Sequence, residues 1–408
     1  MSNFYFGAAL SAHQVEGNNI NSDWWDFEKN VLKAPEFQSG KATNHYQLFE
    51  EDFKLANQLG HNAHRFSIEW ARIEPEEGQI DYEAVEHYKK VFEALAKYKL
   101  TPFVTLHHFT LPKWFAAKGG FLKKSNITYF LNFCKFIGTE FREEMCHIII
   151  FNEPDVYSYH GYLLGKWPPR QKSFFVYTKV LKNMVEAHKL AFDALKAIKP
   201  EFNIGISKNN MVYRREGKYN PLDWFLLKII NHHWNVSLLS KIKKHLDFIG
   251  LNYYFYRSVK ADISLLNSFG QYSYPTSRKT DMNWEVYPKG LYVTTKDLYK
   301  RYKLPIIITE NGVADHADKL REDAIREGLY WLFKSKSEGT DIFGYLHWAL
   351  TDNFEWDSGF DPKFGLIKID YKDFSRSVRP SALIYRDLIK KYQEKLSEKP
   401  RSDSKSIK

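Results

Sequence analysis

Two glutamates close short apolar runs: Glu153 follows His-Ile-Ile-Ile-Phe-Asn, and Glu310 follows Ile-Ile-Ile-Thr. A lone carboxylate in such a place reads as a residue facing solvent at the rim of a sheet. A pair, each beside an asparagine (Asn152 before one, Asn311 after the other), suits cleavage of a glycosidic bond. One carboxyl protonates the leaving oxygen while the other stabilises the oxocarbenium-like carbon from across the sugar. Further polar clusters end other apolar runs: Gln14 and Glu16 near the start of the chain, His107-His108, Asn252-Tyr253-Tyr254 and His347-Trp348. Adjacent His107 and His108 point in different directions, His232-His233 falls in a helical stretch, and no HExxH pattern occurs. The spacings therefore predict no metal site.

Such residues act together only if a scaffold gathers the ends of several strands. Eight apolar runs have strand character: Phe4–Ala9, Ala63–Ile68, Pro102–Leu106, His147–Phe151, Asn203–Ser207, Phe248–Leu251, Ile306–Ile308 and Ile342–Leu346. Amphipathic stretches alternate with them. Tyr82–Lys99 carries Val85, Tyr88, Val91, Phe92 and Leu95 at helical spacing. Ile127–Phe141 has Ser125 or Asn126 as its cap, a periodic stretch from Phe174 to Ile198 is stopped by Pro200, and Arg321–Lys336 is the fourth clear helix. Eight β–α units with no linker or internal repeat predict an α/β chain closed into a single (β/α)8 TIM barrel, in which reactive residues project from the C-terminal strand ends. A doubly wound open sheet is the alternative. No GxGxxG or GxxxxGK[ST] loop follows the early strands, so that alternative lacks its nucleotide cradle and no cofactor is expected.

Nine phrases carry a closer resemblance: FGAALSAHQVEG, NSDWWDFE, HRFSIEWARIEP, TLHHFTLPKWF, FNEP, DFIGLNYY, NWEVYPKGLY, ITENG and WALTDNFEW. In kind and order they resemble family 1 glycoside hydrolases, the β-glucosidase and β-galactosidase family, from Phe6 to about Arg379. The resemblance implies that Glu153 is the general acid/base and Glu310 the nucleophile of a retaining β-glycosidase. It implies that Asn152 bonds the sugar 2-hydroxyl, that Arg65 and Tyr254 hold the nucleophile, and that Asn252 is a neighbouring hydrogen-bonding residue. Tyr253 and His107 are read as packing residues. Gln14, His108, Trp348, Glu355 and Trp356 would form the sugar pocket, His108 at the 3-hydroxyl and Trp348 as the stacking floor. Trp284 would flank the aglycone. Relatives acting on 6-phosphoglycosides replace the Glu355 region with phosphate-binding residues, so the retained carboxylate implies an unphosphorylated glycoside or β-linked oligosaccharide as substrate. Transfer to an acceptor other than water, and a sugar-binding relative without catalysis, are the competing readings.

The composition is that of a soluble globular protein. The chain has 408 residues, 44% hydrophobic and 26% charged, with no apolar run long enough to span a bilayer. Its net charge of +10 is spread among acids except in the tail, so neither nucleic acid nor a membrane is expected as a partner. Aromatic residues make up 17%, including 11 tryptophans, enough to line a sugar site as well as a core. Only Cys134 and Cys146 are present, and the N-terminus lacks a basic-then-apolar leader, which together predict a cytoplasmic location. The reading divides the chain into a catalytic domain over 1–394 and a charged, disordered tail over 395–408. The chain is shorter than most of the resembled family, and the missing length falls before Asn203 and around Ser264–Thr280, which predicts an open cleft for longer β-linked oligosaccharides.

Overall fold

The structure, a computed structural model, describes residues 4–215, 220–262, 271–272 and 278–398. Most of the Ser264–Thr280 loop lies outside them. Eight strands form the centre: β1 (Tyr5–Ala9), β2 (Ala63–Ser67), β3 (Thr101–His107), β4 (His147–Asn152), β5 (Asn203–Asn209), β6 (Phe248–Asn252), β7 (Ile306–Glu310) and β8 (Ile342–Trp348). Each pairs in parallel with its sequence neighbours, and β1 also pairs with β8, closing the barrel. Near-continuous burial along the strands explains their apolar runs: side chains on one face fill the barrel and those on the other meet the helices.

From β3 to β8 every strand runs one or two residues past its apolar run. Hydropathy stops at the first polar side chain, but ladder hydrogen bonds belong to the backbone and continue through it. These extra residues are His107, Asn152, Lys208-Asn209, Asn252, Thr309-Glu310 and His347-Trp348. Register places them in one belt: Ala9 is level with Arg65 and Trp348, Glu310 with Asn252, and Asn252 with Asn209. At the opposite end the barrel is plugged by Ala63, Phe103, Ile149, Phe248, Ile307 and Leu346. There the His147 ring stacks on Phe103 at 4.3 Å between centroids.

A longer helix follows each strand: α1 (His45–Gln58), α2 (Tyr82–Lys97), α3 (Ile127–Glu140), α4 (Phe174–Ile198), α5 (Pro221–Asn231), α6 (Gly290–Tyr302), α7 (Leu320–Ser337) and α8 (Pro380–Ser397). Asp81 starts α2 by accepting from the backbone N–H groups of Glu83 and Ala84. The expected side-chain cap of α3 is absent. Asn126 instead donates its amide to the carbonyls of Lys118 and Gly120, and Ser125 lies within a short 3₁₀ turn. Helix α8 continues to Ser397, so the first residues assigned to the tail are helical; 399–408 lie outside the described residues. Among the described residues no helix is long and apolar enough to cross a membrane.

Candidate active site

Glu153 leaves β4 with φ 43° and ψ 57°, in the left-handed region, and Pro154 then begins a short helix. A non-glycine residue is held there only when its surroundings compensate, and such strain concentrates at functional sites. Here Pro154 favours the first helical turn with its fixed φ, and the Glu153 N–H bonds the Ser207 carbonyl of β5 at 2.8 Å. Glu310 ends β7. Both carboxyls are buried.

One hydrogen-bonded chain joins them. Arg65, buried at the end of β2, binds the Glu310 carboxylate through Nη1 and donates from Nη2 to Asn152 Oδ1 at 2.7 Å. Asn252 donates from Nδ2 to Asn152 Oδ1 at 3.1 Å and to Glu153 Oε1 at 2.7 Å. Asn209 adds a second donor to Glu153 Oε1 at 3.2 Å. On the other oxygen of Glu310, the Tyr254 hydroxyl donates at 2.5 Å.

The two carboxyls therefore sit in different fields. Glu310 accepts from a guanidinium and a phenol. Glu153 is pushed up to about 8, first by burial and second by the negative charge of Glu310, against the two amide donors. Burial likewise raises Tyr254 well above its ordinary value, with the Glu310 charge adding to it, so the phenol remains a donor.

Above the carboxyls lies a cavity of about 1150 Å³ lined by Gln14, His108, Asn152, Trp348, Glu355 and Trp356 at its closed end, and by Trp284 further out. Arg65 and Asn252 sit beneath and reach it through the carboxyls they bond. All the residues expected in the site thus converge. Gln14 is engaged by the protein: its Nε2 donates to Asn353 Oδ1 and the Phe354 carbonyl, and its Oε1 accepts from Ser11. Binding two sugar hydroxyls requires it to exchange one of these bonds. His108, kept neutral chiefly by burial, lies 3.2 Å from Asn152 Nδ2 through Nε2, a contact that needs the hydrogen on Nδ1. Trp348 donates to Glu355 Oε1 at 3.1 Å, and burial pushes Glu355 up to about 7. Trp284 packs against Tyr254 and Phe255. His107 turns away into Phe121, Phe151 and Tyr157, and Tyr253 is buried with its hydroxyl on the Tyr287 carbonyl.

The sequence profile described as glycosyl hydrolase family 1 matches residues 1–223 and 210–394. The chain belongs to this family. It is 29% identical to β-glucosidase A of Thermotoga maritima over 95% of this chain and 97% of that protein. It is 28% identical to a β-galactosidase of Sulfolobus acidocaldarius over 94% of each. Among solved structures, a β-glycosidase from Pyrococcus horikoshii is 37% identical, with a TM-score of 0.89 over 95% of this chain and 93% of that one.

Within this family 1 barrel, two contributions escaped the sequence reading. Asn209 donates to Glu153, and beside it Lys208 forms a buried ion pair with Asp155 at 2.6 Å. The Asp155 charge is among the causes that raise Glu153. Both Lys208 and Asn209 lie at the C-terminal end of β5, which the apolar run truncated at Ser207. Applying the strand-end rule to the fifth strand as to the others would have found them.

Proposed function

We propose that this family 1 hydrolase is a retaining β-glycosidase of the β-glucosidase type, acting on unphosphorylated β-D-glycosides by double displacement. The observation that carries the reading is the division of labour between the glutamates: Arg65 and Tyr254 bond Glu310, while burial and the Glu310 charge hold a proton on Glu153. Glu310 attacks the anomeric carbon; the glycosidic C–O bond breaks and the leaving oxygen takes the proton of Glu153. The ester formed on Glu310 carries no charge, so one of the causes raising Glu153 disappears. Glu153, now a carboxylate, takes a proton from water as the water oxygen attacks the same carbon, and Glu310 departs ionised.

Asn152 has its oxygen turned to Arg65 and Asn252, and its nitrogen, which gives one N–H to His108 Nε2, keeps the other for a 2-hydroxyl. Burial pushes Glu355 up to about 7, so its selectivity against a 6-phosphate rests on its capacity to accept from sugar hydroxyls as well as on repulsion. The two cysteines form no disulfide, which fits a cytoplasmic location. Proton NMR of p-nitrophenyl β-glucoside cleavage tests the reading: β-glucose appears first if the reaction retains configuration, and initial release of α-glucose rejects it.

A further inference from the structure

Behind the sugar pocket lies a buried polar pair that does not face the cavity. His13 follows β1 in the one-turn helix Ala12–Val15, next to Gln14, and is buried without lining the cavity. Its Nε2 bonds Glu28 Oε1 at 2.8 Å, and Asn19 Nδ2 stands 3.1 Å from its Nδ1. Glu28, also buried, is held in turn by Ser39, whose backbone N–H and hydroxyl donate to Oε2 at 2.9 and 2.7 Å. With a partner at each nitrogen, the imidazole cannot turn about its Cβ–Cγ bond without breaking hydrogen bonds.

That ring lies against Trp356. The two planes are 6° apart with centroids separated by 5.6 Å, an offset stack, and Trp24, Phe109 and Trp167 pack around the indole at steeper angles. Trp356 needs such a frame, because its φ of 53° is a left-handed conformation rare for a bulky residue. Its side chain lines the cavity, and among the described residues no protein group accepts from its Nε1. An indole N–H points along the ring plane, so the plane decides where that hydrogen meets a sugar hydroxyl.

Packing alone does not account for the pair. A buried carboxyl–imidazole pair adds little net stability over apolar groups of the same size, and a phenyl ring at position 13 would fill the stack. The imidazole adds a plane fixed by hydrogen bonds at both nitrogens.

We infer that His13, oriented by Glu28, is a positioning residue for sugar binding: it sets the plane of Trp356 and so the direction of the indole N–H. The inference rests on the glycosidase reading for what occupies the cavity. It extends the sugar site inward along Trp356, His13, Glu28 and Ser39, into the segment between β1 and α1.

The test is a double-mutant cycle read by calorimetric binding of methyl 1-thio-β-glucoside, which resists hydrolysis, at a temperature well below the Tm of every variant. Glu28→Ala and His13→Phe should each raise Kd roughly two- to ten-fold, the scale of one lost hydrogen bond. Glu28→Gln, which keeps an acceptor for His13, should restore most of the affinity. Trp356→Phe keeps a ring and removes the N–H; in that background Glu28→Ala should add no further loss. Additive losses overturn the inference, as does an unchanged Kd in Glu28→Ala and His13→Phe, whatever their Tm, or an unchanged Kd in Trp356→Phe. A parent protein that neither binds the thioglucoside nor turns over p-nitrophenyl β-glucoside rejects the glycosidase reading and the inference with it, whereas turnover with an additive cycle rejects the inference alone.

Discussion

Asn252 orients Glu153 directly, its Nδ2 lying 2.7 Å from Glu153 Oε1. The Thr309 hydroxyl donates to Asn252 Oδ1 at 2.6 Å, which turns the amide so that nitrogen faces the carboxyl. Thr309 precedes Glu310, so the strand that supplies one carboxyl also sets the partner of the other. Geometry between the two glutamates is thereby carried by side chains of β6 and β7, with no flexible loop between them.

The alkaline limb of kcat/KM should fall near pH 8, because the acid form of Glu153 is needed for the first step and is lost as pH rises through about 8. Glu310→Gln removes the second cause of that elevation and leaves the first. Carboxyl NMR should therefore find Glu153 lowered in the variant but still above the ordinary glutamate value. An unchanged value would show that the Glu310 charge does not reach it.

The Lys208–Asp155 pair should act on Glu153 through charge. In Asp155→Asn a negative neighbour is gone and Lys208 is left uncompensated, so the alkaline limb moves down; in Lys208→Met the Asp155 charge is unscreened and the limb moves up. Opposite shifts in the two pH–rate profiles are the expected outcome. Loss of activity in both with unmoved limbs would reduce the pair to a packing role.

Glu153 should also cost stability at high pH. Its folded pKa, about 8, lies above the ordinary 4.5, so between these values the folded state binds more protons than the unfolded state and stability falls as pH rises. Below that window both states are protonated and the penalty is absent. Glu153→Gln keeps an oxygen for Asn252 and Asn209 without the charge, so its Tm advantage over the parent should grow from pH 5 to pH 9. A constant difference would show that the buried charge is not the cause.

Much of the barrel was legible because parallel strands buried on both faces leave apolar runs separated by amphipathic helices. The site was legible because polar residues interrupt those runs at the strand ends. The residues that were hard to see make the limits physical. Asn209 belongs to a strand whose hydropathy ends two residues earlier, and Lys208 looks like a surface residue until its pairing with Asp155 is known. The cap of α3 failed because an asparagine can donate as well as accept, and nearby carbonyls claimed its amide. Helix α5 reads as ordinary amphipathic spacing; only the fold shows that part of it lines the cavity.

The central claim is that Glu310 carries the sugar between the two half-reactions. Inactivation with a 2-deoxy-2-fluoro-β-glucosyl fluoride, followed by mass spectrometric peptide mapping, tests it most directly, since the fluorine slows release of the ester enough to isolate it. The account predicts a single fluoroglucosyl adduct on Glu310, within Thr309-Glu310-Asn311. An adduct on Glu153, or turnover of the parent glycoside with no adduct on any carboxyl, would contradict it.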